Sequence, residues 1–259
     1  GYYGAPWSFE SRCSIFRFMG RNKMNTYIYA PKDDPYHHGD GCYKPYPAAK
    51  AAELRDLVQY AHKHHVRFVW AIHPANTVKW NDNGGKTQLD ALCKKLRQMY
   101  ELGVRDFGVL VDDSSGEIGK AERQVQLTNY ILENFIRKHP DVNQTLIMCP
   151  TGYNRSWTNA NFLQTLGNGL DKSIPIMWTG DTVVHDITLE GQQWVNNHVQ
   201  RPTFIWWNWP CNDFKRSRLS LGRTYGLDTH PDMKNQMSGF VANPMEHAEA
   251  SKIGLFGVA

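Results

Sequence analysis

Short apolar runs alternate with stretches of helical periodicity along the whole chain. The runs at 24–30, 67–72, 107–111, 146–149, 174–178, 204–207 and 239–242 carry almost no charge and are rich in β-formers, the pattern of parallel strands buried on both faces. Between them, 48–64 sets Leu54, Leu57, Val58 and Ala61 at helical spacing. The segment 89–102 does the same with Leu92, Cys93, Leu96 and Met99, and 121–137 with Val125, Leu127, Ile131, Leu132 and Phe135. Gly103 and Pro140 stand where helices should stop. Gly1-Tyr2-Tyr3-Gly4 reads as the tail of an eighth strand. A strand repeat of about 30 to 40 residues suits right-handed βα units, and eight units in about 250 residues is the usual size of a (β/α)8 barrel. A doubly wound sheet would normally carry a glycine-rich phosphate loop after its first strand, and no G-x-G-x-x-G is present. The predicted fold class is therefore α/β, a (β/α)8 TIM barrel, with 1–259 as one domain.

Composition narrows the picture. A 41% hydrophobic share supports a substantial core, and the net charge of +4 is weak. The basic residues are scattered, with no stripe interleaved by aromatics, so nucleic acid is not an expected partner. No stretch approaches the roughly 18 apolar residues of a membrane span. The chain begins at Gly1 inside what reads as a structured element and ends in what reads as the last barrel helix, 246–259. It is therefore expected to be a piece of a larger multidomain protein, about whose signal peptide it says nothing. Five cysteines, Cys13, Cys42, Cys93, Cys149 and Cys211, are odd in number and lack C-x-x-C spacing, which points to buried reduced thiols rather than disulfides or zinc. His62, His64 and His65 fall near a helix C-terminus, where they suit the helix dipole. No strand end carries the H-x-H pair of a metal-dependent hydrolase barrel.

In such a barrel, functional groups gather where strands end. After 24–30 comes Pro31-Lys32-Asp33-Asp34-Pro35, and after 67–72 comes His73-Pro74. The run 107–111 opens into Asp112-Asp113, and 146–149 into Pro150-Thr151-Gly152-Tyr153-Asn154. Later ends carry Thr179-Gly180-Asp181, Trp206-Trp207-Asn208-Trp209-Pro210 and Asn243-Pro244-Met245-Glu246-His247. Amides, hydroxyls, carboxylates and indoles suit an uncharged, polyhydroxylated ligand, with aromatic faces on C–H surfaces and short polar groups on hydroxyls. Asp112 and Asp113 are the centre of this rim. Neighbours on a strand point to opposite sides, so one acid can be ionised while the other holds a proton. The plainer reading is a helix N-cap. Trp206 and Trp207 must likewise diverge, leaving at least one for core packing. Lys32 has a plainer reading as the partner of Asp33 or Asp34, Asn243 as a turn residue and Tyr153 as loop packing; His73 is read as structural.

Taken together, 1–8, 23–37, 68–74, the Asp112-Asp113 pair, 177–181, 206–210 and 243–249 resemble, in order, the motifs of glycoside hydrolase family 84. That family of β-N-acetylglucosaminidases includes bacterial and animal O-GlcNAcases and clostridial enzymes once called hyaluronidases. The resemblance implies a retaining exo-acting enzyme that needs no metal or organic cofactor. Its partner would be a glycan or glycoprotein bearing terminal β-linked GlcNAc, including GlcNAc on Ser or Thr. The substrate's own acetamido oxygen would attack the anomeric carbon and give an oxazoline, an exception to the two-carboxylate scheme. By matched position, Asp112 would orient the acetamido N–H and Asp113 would be general acid, then base. The acid is expected in a drier site or beside a negative charge. The Gly1 carbonyl, Lys32, Asn208, Asp213 and Asn243 match hydroxyl- or acetamido-binding positions. Tyr153, Thr179 and Trp206 match the acetamido pocket, and Tyr3 the same wall.

Departures are few. Ser114-Ser115 stand where many relatives have one branched apolar residue, and Gly152 where glutamate is expected. Cys42-Tyr43-Lys44 replaces a tryptophan-arginine pair before Pro45-Tyr46-Pro47. Resemblance to bacterial members, mostly exported, would make this a periplasmic, cell-surface or secreted protein of a bacterium. A hyaluronan-degrading endo-hexosaminidase and a non-catalytic GlcNAc-binding barrel remain open alternatives.

Overall fold

The computed structural model describes residues 4–259. The strand tail expected at 1–4 lies outside the described residues except for Gly4. Elements alternate as read from the sequence: α1 (Phe9–Arg21), β1 (Thr26–Tyr29), α2 (Ala48–Lys63), β2 (Arg67–Ile72), α3 (Lys86–Glu101), β3 (Asp106–Leu110), α4 (Ala121–Asn134) and β4 (Leu146–Cys149). Then come α5 (Ala160–Gly169), β5 (Met177–Trp178), α6 (Leu189–Val199), β6 (Thr203–Trp207), α7 (Met233–Gln236), β7 (Met237–Ala242) and α8 (Ala248–Phe256). The strands pair in parallel in the orders β1-β2-β3-β4 and β5-β6-β7. An isolated parallel bridge, Met148 to Ile176, links the two sheets into one arc. The strand expected over 174–178 shrinks to Met177–Trp178, and Pro175, with no N–H to give, accepts from Met148 N instead at 3.0 Å.

Side chains alternate across this arc. On β2, Phe68, Trp70 and Ile72 join the large cluster beneath the helices, while Ala71 joins a smaller inner cluster. On β3, Phe107 and Val109 face outward and Leu110 inward; on β4, Leu146 and Met148 face outward and Ile147 and Cys149 inward. Both faces are therefore dry, which explains the near-continuous apolar runs. Trp70, Trp178, Phe68 and Phe107 are fully buried, each worth roughly 1.5–3 kcal/mol of transfer free energy. At Gly108 the fit is close: a Cβ there would lie 3.3 Å from the Ala71 side chain and the Ile147 carbonyl.

Helices unread from periodicity carry clear caps. Ser8 accepts from Ser11 N, Asn159 from Phe162 N and Thr188 from Gly191 N, opening α1, α5 and α6. The carbonyls at the α5 C-terminus are satisfied by Arg201, which donates to Gly167 and Leu170 and, just beyond, to Asp171 and Ile174. The final helix, expected over 246–259, is α8, and it packs on α1 through Ser14–Glu249 and Lys252–Ser14 bonds of 2.7 Å. No helix among the described residues is long and apolar enough to cross a membrane.

Candidate active site

Strand parity carries polar side chains to one mouth. Ala30, Ala71, Leu110, Met177, Trp206 and Val241 face the inner cluster or pack on it. Two residues further along the same parity stand Lys32, His73, Asp112, Thr179, Asn208 and Asn243. A cavity of about 110 Å³ is lined by Lys32, Asp112, Asp113, Tyr153, Thr179, Trp206, Asn208, Asp213 and Asn243, with Val183, Val184, Cys211 and Phe214. Every sequence-predicted site residue within the described chain is thus on one wall or another of the same cavity. Gly1 and Tyr3 lie outside the described residues.

The two acids are held very differently. Asp112 keeps the inward parity and is 5% exposed. Lys32 donates to its Oδ2 at 2.6 Å, while Oδ1 has no hydrogen-bond partner among the described residues. Burial pushes the Asp112 pKa up, but the His73 imidazole and the charge and bond of Lys32 outweigh it and hold the carboxyl well below its usual range. Asp113 would point outward on a continuing strand. Instead Val111–Ser114 closes as a turn, Ser114 N to Val111 O at 3.3 Å, with Asp113 at φ 57°. Aspartate tolerates this left-handed conformation better than most residues, at a cost of about 1 kcal/mol. The turn brings Asp113 back over the mouth, where it is exposed and its Oδ1 accepts from the Tyr153 hydroxyl at 2.8 Å. The drier site expected for this acid is not found. Neither acid caps a helix, since the turns that follow open at Ser115 and Lys120.

Lys32 does not pair with Asp34, whose carboxylate accepts from the Tyr29 and Tyr46 hydroxyls and from Tyr36 N. That buried anchor fixes the loop that begins at Lys32. Tyr153 is buried, and burial together with the Asp113 carboxylate drives its phenol well above the ordinary value, so it is a donor only. Across the cavity the groups are neutral apart from the Asp213 carboxylate at the rim. Asn208 Oδ1 accepts from Trp206 Nε1 at 3.0 Å and from Asn243 Nδ2 at 2.9 Å, and its Nδ2 donates to the Val183 carbonyl. Thr179 Oγ1 donates to the Thr182 carbonyl at 3.0 Å. Trp207 turns away from Trp206 into a separate cluster with Ile187, Ile205 and Met233. At the rim, Cys211 donates to Asp213 at 3.1 Å, and burial, then that carboxylate, pushes its thiol up to about 12.

Two findings go beyond the sequence reading. His73, read there as structural, donates from Nε2 to the Asp112 carbonyl at 2.9 Å and lies 3.5 Å from its Oδ1. The signal was present, because His73 follows Ala71 by two residues on the inward face. Gly152, where glutamate was expected, is locked by its neighbours: a Cβ there would meet Phe162 and Thr158 at 2.9 Å. No cluster of three or more His, Cys, Asp or Glu side chains among the described residues could hold a metal ion.

A parallel barrel arc that sets a buried, cation-paired aspartate beside an exposed one, facing amides and an indole, is a geometry capable of acid/base chemistry. The chain belongs to the beta-N-acetylglucosaminidase family, whose profile matches residues 1–259. It is 30% identical over 269 aligned residues to the Protein O-GlcNAcase of Mus musculus, covering all of this chain and 29% of that protein. The solved structure of CpGH84B superposes with a TM-score of 0.92 at 36% identity, over 99% of this chain and 46% of that one. A mutant of the Thermobaculum terrenum O-GlcNAc hydrolase gives 0.89 at 31% identity, over 100% of this chain and 57% of that one. The fold is that of these (β/α)8 barrels. The chain spans under a third of the mouse relative and about half of the solved ones.

Proposed function

We propose that this chain is the catalytic barrel of a retaining exo-β-N-acetylglucosaminidase that removes terminal β-linked GlcNAc, including GlcNAc on Ser or Thr of glycoproteins, with the substrate's acetamido group as nucleophile. The observation that carries this reading is Asp112: buried, countered by Lys32, and lining the same cavity as the exposed Asp113. A buried carboxylate of that kind accepts the acetamido N–H and, staying anionic, stabilises the positive charge that grows on nitrogen as the amide oxygen attacks C1. Asp113, reachable from the mouth and steadied by Tyr153, gives a proton to the departing glycosidic oxygen and later takes one from water. Asn208, Asn243, Asp213 and Trp206 hold the sugar ring by hydroxyl and C–H contacts.

The test compares 4-nitrophenyl β-GlcNAc with the corresponding β-glucoside, which has hydroxyl in place of acetamide. Hydrolysis of the first alone is expected. Comparable turnover of the glucoside would remove substrate assistance from the account, and binding of GlcNAc without turnover of either would leave a sugar-binding barrel.

A further inference from the structure

Beneath Asp112 lies a cluster of three imidazoles that the reaction as described does not use. His73 sits at the end of β2 and is 1% exposed. The loop after β1 docks on it as an extra rung: His73 N donates to the His37 carbonyl at 3.2 Å and Gly39 N to the His73 carbonyl at 2.9 Å. The His38 ring lies against the His73 ring with centroids 4.4 Å apart, and the His37 ring meets it edge-on at 6.3 Å. His37 is itself fixed by an Nδ1 bond to the Ala71 carbonyl.

We propose that His73 is a positioning residue for the acetamido attack, its Nε2–H fixing the Asp112 peptide and with it the direction of the carboxylate, while His37 and His38 hold the ring in register. A carbonyl oxygen only accepts, so the nitrogen 2.9 Å from Asp112 O must carry the hydrogen. In the neutral ring Nδ1 is then bare, in keeping with its lack of any hydrogen-bond partner among the described residues. The charged and titratable groups facing this ring are Lys32 at the end of β1, His37 and His38 on the loop that follows, and Asp112 at the end of β3. Burial first, with the charge of Lys32 acting the same way, holds His37 well below its ordinary value and His38 down to about 4, so both neighbours stay neutral near pH 7.

The role rests on reading Asp112 as the group that orients the acetamide. Two variants of like polarity separate it from simple packing. Glutamine places an amide N–H near the Nε2 position, whereas asparagine reaches only as far as Nδ1. His73→Gln should keep kcat within a few-fold of wild type. His73→Asn should lose about 100-fold in kcat with little change in KM, the penalty for a misplacement of about 1 Å. Its kcat/KM profile should also lose activity at higher pH on the acid side, because Asp112 loses the imidazole 3.5 Å from its Oδ1 that helps hold its carboxyl below the usual range. Nitrogen-15 NMR of His73 in the unmutated protein should show the Nε2–H tautomer, a readout that depends on neither variant folding. Equal losses in both variants, wild-type kcat in His73→Asn, or an Nδ1–H tautomer would overturn the role. An unmutated protein inert towards the aryl GlcNAc would overturn the function itself.

Discussion

The two halves of the barrel divide the chemistry. In the half built on β1–β4 the strands run in unbroken register, and β2, β3 and β4 are buried almost throughout while β1 is partly buried. It presents the charged set, with Lys32, Asp112 and His73 side chains at 10%, 6% and 1% exposure. The half built on β5–β7 is looser: β5 is two residues long, and β7 alternates between partly buried and exposed positions. It presents neutral amides, a hydroxyl and an indole, with a single carboxylate, Asp213, at the rim. The division is physical. A buried ion pair needs fixed geometry to offset its desolvation, and charge stabilisation needs groups that do not reorganise during reaction. Hydroxyl recognition by amides can be spread over several modest bonds, so the looser half suffices.

Changes on the charged half should therefore damage turnover, and changes on the neutral half should damage binding. The largest effect is expected for Asp113→Asn, about 10²–10⁴-fold in kcat/KM on an alkyl GlcNAc glycoside but far less on an activated aryl one, where acid assistance matters little. Equal small losses on both would take the acid role from Asp113. Next comes Lys32→Met, which leaves Asp112 buried without its counter-ion and should cost about 3–5 kcal/mol near neutral pH. Because folding lowers the Asp112 pKa, that stabilisation is present above the unfolded value of about 4 and is lost on acidification. Urea melts of the two proteins should hence converge as the pH drops; a constant gap would mean Lys32 acts through packing alone. The smallest effect is assigned to Asn243→Ala, roughly a tenfold rise in KM with kcat nearly kept, as for loss of one or two neutral hydrogen bonds at about 1 kcal/mol each. A kcat defect there would erase the contrast between halves.

Much of this was legible in the chain. Buried strands announce themselves as uncharged runs, and counting two residues past the last inward side chain finds Lys32, Asp112, Thr179, Asn208 and Asn243. The same count finds His73, although a lone histidine at a strand end is equally compatible with a structural role. The left-handed turn at Asp113 was not legible, since Asp-Asp-Ser-Ser-Gly permits several turns and tertiary contact with Tyr153 helps select one. Nor was the partner of Lys32, with two acids adjacent in sequence; only the packing of Tyr29 and Tyr46 around Asp34 shows which acid is already taken. The short β5 follows from Pro175, and the capped helices α1, α5 and α6 could have been read from Ser8, Asn159 and Thr188.

The central claim is that an anionic Asp112 meets the nitrogen of a cyclising acetamide. Isothermal titration with a GlcNAc-thiazoline, a stable likeness of the oxazoline, tests it most directly on the unmutated protein and on Asp112→Asn. The account predicts tight binding to the first and a loss of at least about tenfold in the second, the worth of one charge-assisted hydrogen bond. Failure of the unmutated protein to bind, or equal affinity in both, would contradict it.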